Sequence, residues 1–301
     1  MDTLIAHPDA IQTQMWDIYA TSPQNVYVVG HTDWTGVNGN GIMWRYDGSK
    51  WSIINQGFRD ISLESITGFG PTNIYAAGNK GPDALILHFD GVGWTQQILP
   101  GQPLYAVRGS SPSNIWTVGW MGTVFLFDGA QWTKIDVGQR FNFKDCAVFD
   151  RKTYAIAYHL DEQPRDTTWF YSLSWNGQRW DTVDVWLNLS LYTDTVTFGA
   201  QSLSVIDGEL YSAGGGVFKF RSSRWEKIFN GPNVWKVVGP SQNNIFAAGF
   251  QGAVYHYNGS DWFQFTQFIS SEFRYSGIWF DGKEVFVVGN NSSKTLVLHG
   301  K

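Results

Sequence analysis

The sequence has little cysteine and few charged residues, and each of these shortages excludes a class of protein. Cys146 is the single cysteine of 301 residues, so an internal disulfide is excluded. It lies in an apolar strand-like stretch, where a free cysteine is expected to be a buried small hydrophobe. Charged residues make up only 16% of the chain and hydrophobic residues 43%, a balance that excludes a disordered protein.

Clusters of basic residues and long apolar runs are also missing. The net charge is −5 and no Lys/Arg patch interrupts it, so the chain lacks the electrostatic footprint of a nucleic-acid-binding protein. The longest apolar runs are of strand length, as at 25–30, whereas a membrane-spanning helix needs about 20 such residues. The first residues lack the charged and apolar regions of a signal peptide. This fits a cytoplasmic protein or a mature chain whose leader has been removed.

What the sequence has in abundance is aromatic residues, at 17%, and glycine, with 33 residues. They recur in one pattern: an apolar strand, a turn such as Ser-Pro-x-Asn, a second strand ending in Gly, a variable loop, a third strand, and then aromatic-Asp-Gly-x-x-Trp. The β-branched and aromatic runs predict strands, and the Asp-Gly and Asn-Gly pairs predict hairpins. The recurring tryptophans are Trp51, Trp94, Trp132, Trp180, Trp225 and Trp262.

These tryptophans are spaced by roughly 40 to 50 residues, which is typical of the four-stranded blades of a propeller. A seventh copy ends at Leu298-His299-Gly300-Lys301 without its Trp strand. Residues 3–8 resemble the end of such a strand, as at Thr95–Pro100, so we expect the N-terminus to complete the last blade and close the ring. The prediction is an all-β chain folded as a single seven-bladed β-propeller. The expected blades span about 14–56, 62–100, 103–137, 143–185, 200–229, 233–267, and 274–301 with 2–8.

The Ser-Pro-x-Asn-Ile-Trp-x-Val-Gly and Phe-Asp-Gly-x-x-Trp segments resemble bacterial Trp-rich propellers related to the photosystem-assembly-factor-like and Asp-box (sialidase-like) repeat proteins. The resemblance covers nearly the whole chain and implies the fold rather than an activity. Asp and Gly are adjacent here, unlike in a full Asp-box motif. The arginine triad and tyrosine nucleophile of sialidases cannot be placed, so the resemblance carries over no catalytic residue.

Most residues that suggest chemistry are explained by the repeat. His88, His256 and His299 occupy equivalent positions in different blades, so we interpret them as structural rather than as metal ligands. The recurring tryptophans are interpreted as packing between blades. The acidic pair Asp161-Glu162 is interpreted as part of a solvated loop. No phosphate loop, zinc motif or nucleophile elbow is present, and neither a metal nor a cofactor is predicted.

The informative positions lie in the loops between second and third strands and between blades, which share one rim of a propeller. Aromatic and arginine side chains there are outside the repeat and suit a ligand surface. The predicted ligand-binding residues are Trp34, Arg59, Trp120, Arg140, Phe250 and Arg274.

The preferred function is a non-catalytic binding or scaffold propeller whose ligand, a carbohydrate or a protein segment, lies on the loop rim around the central channel. The alternative is a glycoside hydrolase or lyase in the central pocket. It would use Arg59, Arg140 or Arg274 to hold an anionic substrate, with Asp60 or Asp145 as the acid or base. We expect a monomer, because a closed ring has no free strand edge, and a periplasmic or extracellular location.

Overall fold

The computed structural model of the chain describes residues 2–4, 12–34, 37–54, 58–160, 167–189, 196–232, 234–291 and 295–301. The described residues form seven four-stranded antiparallel sheets, which are the blades of one propeller. The predicted fold class is therefore confirmed. Successive blades pack through their inner strands, and buried apolar clusters fill the spaces between neighbouring sheets.

Each blade is a meander in which the first strand lies innermost. The first three blades comprise Gln12–Ser22 (β2), Asn25–Trp34 (β3), Val37–Tyr46 (β4) and Trp51–Ile53 (β5); Ile61–Gly68 (β6), Ile74–Lys80 (β7), Asp83–Phe89 (β8) and Trp94–Leu99 (β9); and Leu104–Ser111 (β10), Asn114–Gly119 (β11), Val124–Phe127 (β12) and Trp132–Lys134 (β13). The fourth and fifth blades comprise Asn142–Phe149 (β14), Lys152–Leu160 (β15), Thr167–Trp175 (β16) and Trp180–Leu189 (β17); and Ser202–Ile206 (β18), Glu209–Ala213 (β19), Val217–Arg221 (β20) and Arg224–Phe229 (β21).

The sixth blade comprises Val234–Ser241 (β22), Asn244–Gly249 (β23), Val254–Tyr257 (β24) and Trp262–Gln264 (β25). The seventh comprises Arg274–Phe280 (β26), Val285–Asn290 (β27), Thr295–Gly300 (β28) and the N-terminal strand Asp2–Leu4 (β1). Two single 3₁₀ turns, Trp120–Gly122 and Thr266–Phe268, are the helical elements of the described chain. No helix in that part of the chain has the length and apolar character needed to cross a membrane.

The N-terminal strand closes the ring, as the sequence predicts, but in a different register. Asp2, Thr3 and Leu4 pair with Val297, Leu296 and Thr295. In the second blade the equivalent pair is Leu85 with Ile98, so Thr3 takes the place of Ile98. The sequence comparison of residues 3–8 with Thr95–Pro100 aligns Thr3 with Thr95 instead, which is three residues before Ile98 in the outer strand. Ile5–Pro8 lie outside the described residues.

The hairpins after the third strands repeat one local device. Asp47 Oδ1 accepts hydrogen bonds at 2.9 Å from the backbone N–H groups of both Ser49 and Lys50, and Gly48 adopts a φ of +95°. These bonds to the carboxylate lower the pKa of Asp47 to about 2. Asp90, Asp128, Asn176 and Asn258 form the same turn. The Asp-Gly and Asn-Gly pairs therefore serve as tight turns.

Candidate functional site

The innermost strands of six blades share a β-bulge at the same place. Their pairing with the second strand skips one residue near the start of the strand. A bulge of this kind leaves its extra residue unpaired and changes the direction of the side chain. The bulged residues are Trp16, Glu64, Tyr105, Lys144, Trp235 and Ser276.

All six bulged side chains line one cavity of about 310 Å³ at the mouth of the central channel, on the face that carries the loops between blades. Gln201, which precedes the first strand of the fifth blade, supplies the seventh. We call this cavity the upper vestibule. Asp17, Arg108, Asp145, Tyr158 and Lys236 also line it. Each blade thus contributes one non-repeating side chain to a common space.

The bulge also explains the glycine that ends most second strands. Gly78 pairs with Leu63, next to the bulged Glu64. A Cβ atom at Gly78 would overlap the backbone carbonyl oxygen of Ser62, and one at Gly30 would overlap that of Gln14. The strand-ending glycines are therefore required by the close approach of the bulged inner strand.

The upper vestibule ends on four charged side chains from four blades, Asp17, Arg108, Asp145 and Lys236, which we call the charged floor. Arg108 Nη1 lies 3.1 Å from Asp17 Oδ2, and Arg108 Nε lies 3.2 Å from Asp145 Oδ1. Lys236 Nζ lies 2.5 Å from Asp17 Oδ1. Below the floor lies a second cavity of about 580 Å³, the lower vestibule, which shares only these four lining residues with the upper one.

Hydrogen bonds hold the two carboxylates of the floor. Asp17 Oδ2 accepts from Ser65 Oγ at 2.9 Å and from the Ile66 N–H at 3.2 Å, and Asp145 Oδ2 accepts from the Leu203 N–H at 3.1 Å. Burial by itself raises the pKa of Asp17, but the charges of Lys236 and Arg108 outweigh it and lower that pKa to about 2. For Asp145, burial prevails over the attraction of Arg108, so its pKa is raised.

Two walls of the upper vestibule carry opposite ionisable groups. Burial raises the pKa of Glu64 to about 7, although Ser62 Oγ donates a hydrogen bond to it at 3.1 Å. His31 Nδ1 lies 3.8 Å from the same carboxylate. Burial lowers the pKa of Lys144, whose Nζ donates to Gln201 Oε1 at 2.9 Å and lies 5.7 Å from the Tyr158 ring centroid. The cavity therefore offers a donor, an acid and aromatic faces.

Two of the six predicted ligand-binding residues lie together and adjoin the upper vestibule. Arg274 lies over the ring of Phe250, with its Cζ 5.0 Å from the ring centroid. The Phe250 ring centroid is in turn 5.3 Å from that of Trp235. This group forms a cation–aromatic edge that leads from the loop rim into the cavity.

Of the other four predicted residues, Arg59, Trp120 and Arg140 are not among those that line the upper vestibule. Arg59 and Arg140 are exposed, and Arg140 lines a shallow surface depression with Met121. Trp120 is 41% exposed in its 3₁₀ turn. Trp34 ends β3, but its side chain is outside the described part, as are residues 161–166 with Asp161 and Glu162. Their roles stay predictions.

Reasoning from the sequence missed the residues that define the cavity. Trp16 and Trp235 stand outside the repeating Trp pattern, and Arg108 is the arginine that meets carboxylates in the channel. Asp145, a candidate acid of the catalytic alternative, pairs with Arg108, whereas Asp60 is exposed with a φ of +57°. The missed signal was the position after the apolar residue that pairs with the end of the second strand, where the residue type differs in all but two of the six bulged strands.

The three equivalent histidines, which we interpret as structural, have the same packing in each blade. His88, His256 and His299 stack on Tyr75, Phe246 and Phe286 at centroid distances of 4.3, 4.4 and 4.0 Å. Each also bonds a polar side chain of its own blade. Within the described ranges no group of three or more His, Cys, Asp or Glu residues has the arrangement of a metal site. Cys146 is fully buried, as expected, and burial raises the pKa of its thiol.

The whole chain is similar in structure to solved propellers. One, described as YCF48 bound to D1 peptide, aligns over 97% of this chain and 93% of its own, with a TM-score of 0.65 and 16% identity. YCF48 from Cyanidioschyzon merolae aligns over 98% and 97%, with a TM-score of 0.63 and 14% identity. The WD40 propeller domain of Doa1 aligns over 100% and 96%, with a TM-score of 0.59 and 12% identity.

These likenesses confirm, at the level of the fold, the expected resemblance to photosystem-assembly-factor-like propellers. No protein-family model matches the sequence. No curated protein matches it either.

Proposed function

We propose that this chain is a non-catalytic binding propeller that recognises a segment of another protein in the upper vestibule. The observation that carries the proposal is the repeated bulge, which directs one non-repeating side chain from each of six blades into a single cavity. A structural repeat needs no such variety at equivalent positions. A site that must match one particular ligand does.

The chemistry of the cavity fits a peptide. Its volume of about 310 Å³ lies at the lower end of the range of ligand pockets and accommodates one or two side chains. Trp16, Tyr105 and Trp235 belong to the residue types that carry most binding energy in protein interfaces. Lys144 and Gln201 provide donors for a carbonyl or carboxylate, and the Phe250–Arg274 edge extends the contact toward the rim. One structural neighbour, YCF48, is described as bound to a peptide.

The ionic arrangement of the floor favours binding over catalysis. A glycosidase needs a carboxylic acid whose pKa is raised and a second carboxylate free to act on the substrate. Glu64 has the raised pKa of such an acid, so the second carboxylate would have to be Asp17 or Asp145. Asp17 has a pKa of about 2, forms ion pairs with Arg108 and Lys236, and accepts two further hydrogen bonds. Its carboxylate is therefore engaged within the charged floor and is not free to act on a substrate. Asp145 is held by Arg108 and the Leu203 N–H.

The test is a selection of random twelve-residue peptides on the immobilised chain, followed by titration of synthetic peptides against Trp16→Ala and Trp235→Ala variants. Removing an aromatic anchor from an interface costs about 2 kcal/mol or more, so we expect affinity to fall at least about thirtyfold. Phe263→Ala is the matched control, because Phe263 is 61% exposed on the outer strand β25 and its loss leaves the vestibule intact.

Enriched peptides that bind the two vestibule variants as tightly as the parent would contradict the proposal, as would a selection that enriches nothing. The same variants should be applied to a glycan array. Carbohydrate binding that depends on Trp16 or Trp235 would replace the protein segment by a sugar as the ligand of this cavity.

A further inference from the structure

A second set of equivalent positions lies along the inner strands, further from the loop face than the bulges. Each position pairs with an aromatic residue of the second strand of its own blade, and this partner is Tyr, Trp or Phe in all seven blades. The inner-strand residues themselves show no such constancy, since no two of them are of the same type. They are Tyr19, Thr67, Arg108, Ala147, Ser204, Val238 and Trp279.

These seven residues, which we call the lower ring, all line the lower vestibule. Six of them are partly exposed to solvent, and Ala147 is buried. A position that served only to pack the blades together would carry similar residues in every blade, as the aromatic partners do. The variety of the lower ring therefore lies at positions that face a cavity, as it does for the bulged residues of the upper vestibule.

The lower vestibule opens on the face of the propeller that carries the hairpin turns between first and second strands, such as 22–25 and 111–114. These turns are short and belong to the repeating pattern, so the variety near this face is confined to the cavity. Its volume of about 580 Å³ is in the middle of the range of sites for small molecules. We therefore expect a ligand that the cavity encloses rather than a protein that covers the face.

The charged floor has engaged its acceptors but has donors to spare. Each carboxylate oxygen of Asp17 and Asp145 already accepts a hydrogen bond. Within the described residues, the bonds and ion pairs of Arg108 involve Nε and Nη1, which leaves the N–H groups of Nη2 to donate. In the same part of the chain, Lys236 Nζ has three N–H groups and a single acceptor, Asp17 Oδ1. Both cations line the lower vestibule.

The wall beyond the floor is mainly apolar. It includes Val205, whose side chain is 44% exposed, together with Val148, Val238, Trp279 and Phe280. Among the described residues, no Asp, Glu, Lys, Arg or His lines this cavity apart from the four members of the floor. The cavity thus offers cationic donors at its closed end and an apolar wall toward its mouth.

We propose that the lower vestibule is a second binding site, which takes a small organic acid. The carboxylate or phosphate of this ligand accepts hydrogen bonds from Arg108 Nη2 and Lys236 Nζ, because charge-assisted bonds are stronger than those between neutral groups. Its apolar body packs against Trp279 and Val205. Asp17 and Asp145 keep their bonds within the protein, so the acid adds to the floor and displaces none of its members.

The chemical class is tested with 3-phenylpropionate, and the neutral 3-phenylpropanamide is its matched control. We expect saturable binding of the acid in the millimolar range by ligand-observed NMR, and at least about tenfold weaker binding of the amide. Phenyl phosphate, titrated in the same way, distinguishes the two acid groups, since the site prefers the one that binds more tightly. No saturable binding of either acid, or equal binding of the acid and the amide, would overturn the proposal.

The location is tested with Ser204→Trp, which fills the lower vestibule. Trp279 occupies the equivalent position in the seventh blade, so an inner strand accommodates an indole there. Ser113→Trp is the matched control, because Ser113 is exposed in a turn on the same face and does not line the cavity. We expect binding of the acid to be lost in Ser204→Trp and unchanged in Ser113→Trp. Binding that survives in Ser204→Trp would overturn the proposal.

The contact with the floor is tested with Lys236→Met, which keeps the length of the side chain and removes its charge. We expect affinity for the acid to fall at least about tenfold, the loss of one charge-assisted hydrogen bond. Thermal melting shows whether each variant is folded, and unchanged affinity in folded Lys236→Met would overturn the assignment. Ser204 lines the lower vestibule and not the upper one, so the result with Ser204→Trp does not bear on the proposed function.

Discussion

Glu64 and Asp17 lie on adjacent inner strands, yet their carboxyl groups differ in acidity because their surroundings differ. Asp17 has two cations and two hydrogen-bond donors, which more than offset the cost of burying its charge. Glu64 has a hydroxyl donor and His31 nearby, and burial raises its pKa to about 7. The two acids therefore have opposite effects on how stability depends on pH.

The pKa of Glu64 predicts a loss of stability as the pH rises. Its folded pKa of about 7 lies above the unfolded value of about 4.5, so its favourable contribution is complete below pH 4.5 and is lost as the pH rises through 7. We expect Glu64→Gln to remove a decline of about 2 to 3 kcal/mol in the free energy of unfolding between pH 4.5 and 8. Urea denaturation at several pH values measures it.

Glu272→Gln is the comparison variant, because it makes the same substitution at a side chain that is exposed to solvent. Asp17 acts in the opposite sense and in a lower window, since its stabilisation is lost only as the pH falls from about 4 through 2. If Glu64→Gln keeps the decline above pH 4.5, another group is responsible for it.

At the scale of the strand, the bulge and the glycine opposite it form one unit. The bulged inner strand brings its backbone carbonyl against the second strand, where a side chain would collide with it. Pleating alone would direct alternate side chains of the inner strand to fixed faces. The bulge breaks this alternation at one residue, so the side chain of that residue points into the channel.

The strand-ending glycine is predicted to be sensitive for this reason. Gly78→Ala places a Cβ against the Ser62 carbonyl oxygen and should lower the free energy of unfolding by about 2 to 4 kcal/mol. Gly93→Ala is the matched control, because a Cβ there meets no atom within 4 Å. Urea denaturation of both variants decides it, and equal midpoints would show that the inner strand shifts to accommodate alanine.

At the scale of the whole molecule, the sequence predicts the ring because the ring consists of repetition. Trp51, Trp94 and their equivalents recur at a blade-length spacing, and each occupies the same place between blades. Trp16 and Trp235 do not recur at this spacing. Each points into the channel because of a bulge, and the bulge depends on how the inner strand pairs with the second strand. The register of β1 could not be predicted from the sequence either, since a strand of three residues can pair with β28 in several registers.

Closure of the ring by β1 leads to a prediction about association. A chain lacking residues 1–4 leaves the outer edge of β28 open along its length, and open edges recruit other strands. We expect it to melt several degrees lower and to form dimers or larger species on size-exclusion chromatography, while the full chain elutes as a monomer. Replacing Asp2–Leu4 by three serines keeps the backbone pairing possible and serves as the control. A shortened chain that stays monomeric with an unchanged melting temperature would show that β1 contributes little to closure.

The charged floor blocks the central channel. Asp17, Arg108, Asp145 and Lys236 meet across the axis and separate the upper vestibule from the lower one. If the upper vestibule binds a protein segment, as proposed, a segment that enters from the loop face has to turn back at the charged floor. The proposed function therefore calls for a chain terminus or a tight loop and not for a strand threaded through the ring. The floor also means that a ligand in the upper vestibule and one in the lower vestibule would contact different residues, apart from the four that the two cavities share.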